Sequence, residues 1–117
     1  SERALREIYL KGFKICVEEA KPRAVMTSYN KMNGIYPSEN SELIAGILRG
    51  EWGFDGMVMS DWGNCADHIY EIQAGNDIKM PCSDKEDVLK RFKAGEITRS
   101  QIAVCAKRVL KLILDTE

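Results

Sequence analysis

Short runs of β-forming residues alternate along this chain with longer stretches whose apolar residues recur at helical spacing. Strands that alternate with helices imply parallel strands joined by right-handed crossovers, so the expected fold class is α/β. The predicted order is a helix over residues 2–20, a strand over 24–29, a helix through 43–48, a strand over 54–60, a helix over 67–74 and a strand over 77–80, followed by two helices. A doubly wound sheet and a piece of a (β/α)8 barrel both fit this order. A complete barrel needs about 250 residues, and the chain has 117.

Local signals mark the ends of several of these helices. Pro22 ends the first helix. The spacings Ser83-x-x-Glu86 and Thr98-x-x-Gln101 fit capping boxes, which predicts that the last two helices begin there.

Composition and charge exclude two classes of partner. The net charge is −1, which is not typical of a nucleic-acid-binding face. No apolar run approaches the roughly 20 residues that span a bilayer, so no membrane contact is expected.

The chain begins with neither an initiator methionine nor a signal-peptide pattern, so we expect it to be a piece of a longer parent. The compartment of that parent stays open, with the cytoplasm favoured.

The cysteines give no metal-binding pattern. Cys16, Cys65, Cys82 and Cys105 are scattered, and His68 is the only histidine, so we expect no metal site. We interpret all four as reduced thiols. Cys16 and Cys105 fall on predicted apolar helix faces, where a free thiol acts as a small hydrophobe.

The apolar run at residues 57–60 ends in an acid and an indole, Asp61 and Trp62. Functional sites in parallel α/β folds lie at such C-terminal strand ends. The hydroxyl of Tyr29, at the end of the preceding strand, can hydrogen-bond a carboxylate and hold it ionised. Trp62 offers an apolar face to a pyranose ring. This combination suits a glycosidase nucleophile, although retaining cleavage needs a second carboxyl group about 5–5.5 Å away.

The same residues have simpler interpretations. An Asp that follows a strand is often the N-cap of the next helix, and this applies to Asp61. Trp62 can pack at the rim of the core, and Met26 can be core filler. His68 is most simply a helix-surface residue.

Several linked motifs resemble glycoside hydrolase family 3, the β-glucosidase-like enzymes. In chain order they are residues 1–10, 24–30 with 33–34 and 38–40, 51–63 around Ser60-Asp61-Trp62-Gly63, and 74–81. The resemblance covers nearly the whole chain. It implies that residues 1–117 are the C-terminal part of the family's (β/α)8 barrel domain, with about three parallel strands, the last of the barrel, and their flanking helices.

The resemblance also implies a reaction and a site. The parent would be a retaining β-glycosidase that hydrolyses a β-glucoside or related oligosaccharide, with no metal or organic cofactor. Asp61 would be the nucleophile that forms a glycosyl intermediate. Trp62 and Tyr29 would line the sugar subsite, and Met26 would line the pocket less directly. The acid/base Glu would come from a later domain of the parent, and further sugar ligands from earlier strands of the barrel. The remaining domains of the parent are therefore the expected partners.

The chain departs from the family pattern at one position, and two other functions stay open. Lys79 stands where many members have an acidic residue. A non-enzymatic α/β carbohydrate-binding or interaction module fits the same strand ends, and predicts that Asp61→Asn leaves the parent's activity almost intact. A phosphate-binding half barrel is disfavoured, because Gly34 and Gly63 stand alone and form no glycine-rich strand-to-helix loop.

The isolated chain is expected to be inactive and to self-associate. It would hold one carboxylate of the catalytic pair, and a piece of a barrel exposes strand edges that pair with other strands. The purified chain should leave an aryl β-glucoside intact and should run larger than a monomer in light scattering. Turnover by the pure chain contradicts the first expectation, and a clean monomer at high concentration contradicts the second.

Overall fold

The α/β fold is built on two short parallel strands. The computed structural model describes residues 1–81 and 84–117. Strands β1 (Ala24–Met26) and β2 (Met57–Met59) pair in the register Ala24↔Met57, Val25↔Val58 and Met26↔Met59. The helices are α1 (segments Glu2–Ala4, Leu5–Tyr9, Lys11–Ile15 and Cys16–Ala20), α2 (Glu42–Glu51), α3 (His68–Ala74), α4 (Lys85–Lys93) and α5 (Arg99–Leu114). This order confirms the predicted α/β class, with shorter strands than predicted.

The predicted third strand, residues 77–80, is reduced to a single bridge. Ile78 pairs in parallel with Met59, and the described part of the chain forms no other strand in this sheet besides β1 and β2. The reason lies in the hydrogen bonds that follow the bridge. The amide of Ser60 donates to the carbonyl of Ile78 at 2.9 Å, but the amide of Met80 then donates to the Ser60 hydroxyl at 2.8 Å. A side chain thus replaces the main-chain acceptor, and the ladder ends.

Helix α1 leaves most of its predicted apolar stripe uncovered. Leu10 and Val17 are buried, whereas Ile8 and Tyr9 are about 70% exposed and Cys16 is also exposed. Cys16, expected on an apolar helix face as a small hydrophobe, is thus not buried in this chain. The segments Leu5–Tyr9 and Cys16–Ala20 are π-helical. Each π-turn adds a residue to the helical repeat, so a stripe read at the α-helical period does not stay on one face.

The core joins β2 to three helices. Val17 of α1, Ile44 and Leu48 of α2, Phe54, Val58 of β2 and Ala74 of α3 form one buried cluster, and Val25 and Trp52 pack against it. Burial of such side chains removes apolar surface from water, which is the main favourable term in folding. The cluster fixes the direction of β2 relative to the helix on either side of it in the chain.

A buried carboxylate links β2 to α2 and α5. The side chain of Asp77 is fully buried, and one of its oxygens accepts from the Val58 amide at 2.8 Å. The guanidinium groups of Arg49 and Arg108 donate to the same carboxylate at 2.8 and 3.0 Å. Because two cations and an amide surround it, the buried charge is paired and hydrogen-bonded.

The helix ends agree in part with the sequence signals. The Thr98–Gln101 capping box is present and begins α5, which confirms that prediction. Ser83 lies outside the described residues, and α4 begins after Asp84. Lys21, in the left-handed region at φ 48°, ends α1 just before Pro22. None of the helices in the described ranges is long and apolar enough to cross a membrane.

The turn into β2 tolerates no side chain at Gly56. A Cβ there would lie 2.3 Å from the Arg23 carbonyl oxygen and 2.7 Å from the Phe54 ring. Gly56→Ala is expected to lower the free energy of unfolding by about 1–3 kcal/mol, the scale of overpacking. Urea denaturation measures this.

Gly12→Ala is the matched control, because a Cβ at this helical position meets nothing within 4 Å. That change should raise the free energy of unfolding by about 0.5–1 kcal/mol. Equal stability of the two variants would contradict the crowded turn.

Candidate active site

The carboxyl ends of β1, β2 and the bridged segment at Ile78 lie side by side. The amide of Thr27 donates to the Met59 carbonyl at 2.9 Å, just as Ser60 donates to Ile78. Asp61 follows at the end of β2 with its side chain partly open to solvent. The sequence-based prediction that an acid stands at this strand end agrees with this placement.

Asp61 is not the N-cap of the following helix, so that simpler interpretation is wrong. Helix α3 begins at His68, and its cap is Asp67, whose carboxylate accepts from the Ile69 amide at 2.8 Å. The Asp61 carboxylate instead accepts from the amide of its own neighbour, Trp62, at 2.7 Å. This local bond orients one carboxylate oxygen without using up the other.

Tyr29 reaches across from the loop after β1 to this acid. Its hydroxyl donates to the main-chain carbonyl of Trp62. Loss of solvent around the ring, followed by the negative charge of Asp61, raises the pKa of the Tyr29 hydroxyl. The phenol therefore stays protonated and gives its single proton to the Trp62 carbonyl, next to the Asp61 carboxylate.

The two aromatic rings of the site are open rather than packed. Trp62 is 63% exposed and Tyr29 is 51% exposed in this chain. Open aromatic faces next to a carboxylate can stack on the apolar face of a sugar.

Met26 is placed differently from the other predicted site residues. It is half-exposed in this chain at the end of β1, and it lines an apolar groove of about 130 Å³ together with Phe13, Val17 and Trp52. Its contact with a substrate stays a prediction.

Sequence reasoning missed the part that Ser60 plays in the site. Ser60 is completely buried, and its hydroxyl donates to the Asp61 carbonyl at 3.0 Å while accepting from the Met80 amide. The amide of Gly63 donates to the Met80 carbonyl at 2.6 Å. Met80 therefore holds the chain on both sides of Asp61 and Trp62. A serine in an otherwise apolar run was the signal in the sequence.

Sequence reasoning also missed the buried ion pair of Lys79 and Glu71, which contacts the loop of residues 61–67. Lys79 donates to Glu71 at 3.1 Å, to the Asn64 side chain at 3.0 Å and to the Ala66 carbonyl at 2.7 Å. Asn64 in turn donates to Glu71 at 2.8 Å and to the Ser38 hydroxyl at 3.1 Å. The signal was a lysine and a glutamate that each lie between apolar neighbours in the sequence.

The remaining metal-binding and thiol candidates do not join the site. Among residues 1–81 and 84–117, no group of three or more His, Cys, Asp or Glu side chains could hold a metal ion. His68 was predicted to lie on the helix surface, and this was wrong. Its side chain is only 15% exposed, and burial lowers its pKa. Burial, and then the charge of Asp77, raise the pKa of the Cys105 thiol to about 11. Cys105 therefore packs as a neutral hydrophobe, as expected.

Comparisons with known proteins find relatives over nearly the whole of this chain. Residues 1–112 match the model of the glycosyl hydrolase family 3 N-terminal domain. The chain is similar to β-glucosidase A of Butyrivibrio fibrisolvens, with 48% identity over 102 residues that cover 87% of this chain and 12% of that protein. It is also similar to β-glucosidase B of Emericella nidulans, with 44% identity over 117 residues that cover 97% of this chain and 14% of that protein.

A solved structure has the same fold. β-Glucosidase 3B from Thermotoga neapolitana, in complex with glucose, superposes with a TM-score of 0.94 at 41% identity, covering 97% of this chain and 17% of that one. This chain thus spans only 12–17% of the length of these three relatives.

The titration of Tyr29 tests the contact between the two strand ends. Replacing Asp61 by Asn removes a nearby negative charge, so the pKa of Tyr29 should fall toward the ordinary tyrosine value. The ultraviolet absorbance of the phenolate measures it, with Tyr29→Phe identifying the signal by subtraction. Asp55→Asn is the control, since Asp55 pairs with Lys111 elsewhere. An unchanged Tyr29 titration in the Asp61 variant would refute the contact.

Proposed function

Because this chain belongs to glycosyl hydrolase family 3, we propose that it is part of a longer retaining β-glycosidase of the β-glucosidase type. The substrate is a β-glucoside or a related oligosaccharide, and the terminal β-linked sugar is released without a cofactor. The observation that carries the proposal is the position of Asp61, a partly open carboxylate at the end of β2, which lies next to the exposed Trp62 and near the exposed Tyr29 that bonds the Trp62 carbonyl.

The chain contributes the last strands and helices of a (β/α)8 barrel domain in this proposal. Two features support it. The strands are parallel and joined through a helix, as in a barrel. Apolar residues on α1 and along the groove at Met26 stand exposed, which suits faces that further strands and helices would cover. The remaining domains of the parent are accordingly the partners of this chain.

Asp61 acts as the nucleophile of a double displacement. One of its oxygens forms a bond to the anomeric carbon as the bond from that carbon to the leaving oxygen breaks, and an acid from another part of the parent donates a proton to the leaving oxygen. Water then attacks the anomeric carbon of the glycosyl-aspartate and gives a proton to the residue that served as the acid in the first step. Asp61 is released as a carboxylate. The anomeric configuration is retained because the carbon is inverted twice.

The neighbours of Asp61 have separate roles in this mechanism. The bond from the Trp62 amide orients the carboxylate, which limits the freedom it loses on attack. The Tyr29 hydroxyl holds the main chain of Trp62, the residue next to the nucleophile, through its bond to the Trp62 carbonyl. The indole of Trp62 stacks on the sugar, and Met26 lines the pocket from the edge of β1. The acid/base Glu lies outside this chain, so the isolated chain is inactive.

Covalent trapping tests the assignment of the nucleophile. The full-length parent is treated with a 2-deoxy-2-fluoro-glucoside that has a good leaving group, then digested and mapped by mass spectrometry. The label is expected on the peptide that carries Asp61. A β-glucosidase that labels on another peptide would have a different nucleophile.

Substitution of the nucleophile tests the reaction class. Asp61→Asn in the parent is expected to lower kcat by on the order of 10⁴-fold, the scale seen when a catalytic group is lost. Asp55→Asn, a change of the same chemistry at an exposed turn, should stay within about twofold of the parent, as expected for a surface position. Nearly full activity of Asp61→Asn would favour the carbohydrate-binding or interaction module instead.

A further inference from the structure

We infer that Lys79 is a positioning residue, which holds the loop of residues 61–67 so that Asp61 and Trp62 stay at the end of β2. The inference rests on the proposed function, because it assigns a task to a residue that touches neither substrate nor reacting atoms. It concerns the buried network of Lys79, Glu71, Asn64 and Ser38, which we call the loop anchor.

The loop anchor forms hydrogen bonds with the loop of residues 61–67 at two positions. The Lys79 ammonium donates to the main-chain carbonyl of Ala66 at 2.7 Å and to the side-chain oxygen of Asn64 at 3.0 Å. Its third bond, to Glu71 at 3.1 Å, ties the loop to helix α3. All three donors of the ammonium are thus used, which fixes its position.

Asn64 extends the loop anchor to a second strand end. Its amide donates to Glu71 at 2.8 Å and to the Ser38 hydroxyl at 3.1 Å. Ser38 belongs to the short 3-10 turn Pro37–Glu39, in the connection that follows β1. The loop that carries Asp61 is therefore tied to the connection of the strand that carries Tyr29.

The burial of the loop anchor points to positioning rather than stability. Glu71 and Ser38 are completely buried, and Lys79 and Asn64 are 7% and 8% exposed. Desolvation of two charges offsets much of their attraction, so an apolar pair of similar volume is often equally stable. An ion pair gives what an apolar pair does not, namely directed bonds to a carbonyl and an amide of the loop.

The chain that carries Lys79 also brackets the reactive residues. Met80, the next residue, accepts from the Gly63 amide and donates to the Ser60 hydroxyl. These two bonds lie on either side of Asp61 and Trp62. A shift of Lys79 would therefore be passed through Met80 to both residues of the site.

The rate of covalent trapping in the full-length parent tests this role. Lys79→Met combined with Glu71→Met removes both charges, so the melting temperature should stay near that of the parent. The rate constant of inactivation by a 2-deoxy-2-fluoro-glucoside at saturation should fall about 10- to 100-fold, the effect of misplacing a reacting group by up to about 1 Å. A purely structural ion pair would move the melting temperature and leave this rate constant unchanged.

Two further variants complete the design. Arg6→Met combined with Glu51→Met is the matched control, because it removes both charges of an ion pair away from the loop and should leave the inactivation rate within about twofold, as expected away from the site. Ser38→Ala keeps both charges, and it tests the positioning role if the double variant does not fold. It should slow inactivation about threefold, the factor for one neutral hydrogen bond.

The outcomes separate the two proposals. Labelling of the parent at Asp61 with an unchanged rate in the double variant, or in Ser38→Ala where the double variant is unfolded, overturns the positioning role alone. A parent that is not labelled at Asp61 overturns the proposed function and this inference together.

Discussion

The buried carboxylate of Asp77 is the interaction on which the rest of the fold depends. It accepts from the Val58 amide in the middle of β2 and pairs with Arg49 of α2 and Arg108 of α5. A charge in this position has to be compensated, because an unpaired buried carboxylate would be costly. The strand, the helix before it and the last helix are therefore fixed to one point.

The orientation of β2 sets the position of the candidate site. Once Val58 is held, Ser60 is buried at the strand end and Asp61 follows at the boundary with solvent. The site is then a half-open arrangement of one carboxylate and two exposed rings. In the proposed function this arrangement binds a sugar and presents the nucleophile, and groups from other parts of the parent complete the reaction.

Two buried charge networks lie behind this open surface. One surrounds Asp77, and the other is the loop anchor around Lys79 and Glu71. Both join segments that are distant in sequence, and both contain main-chain partners as well as side chains. Directed bonds of this kind specify one arrangement of loops, whereas apolar contacts permit several.

Sequence periodicity and strand-end chemistry determined the α/β order, the parallel pairing and the acid at the end of β2. These features follow from local patterns, since alternation and helical spacing reflect which faces are buried. Tertiary structure alone decided that α1 contains π-turns and leaves Ile8 and Tyr9 exposed, that residues 77–80 make one bridge, and that Tyr29 reaches Trp62. It also decided that Lys79 and Glu71 are a buried pair rather than solvated charges. Each of these depends on hydrogen bonds or contacts between residues far apart in the chain, which no local pattern encodes.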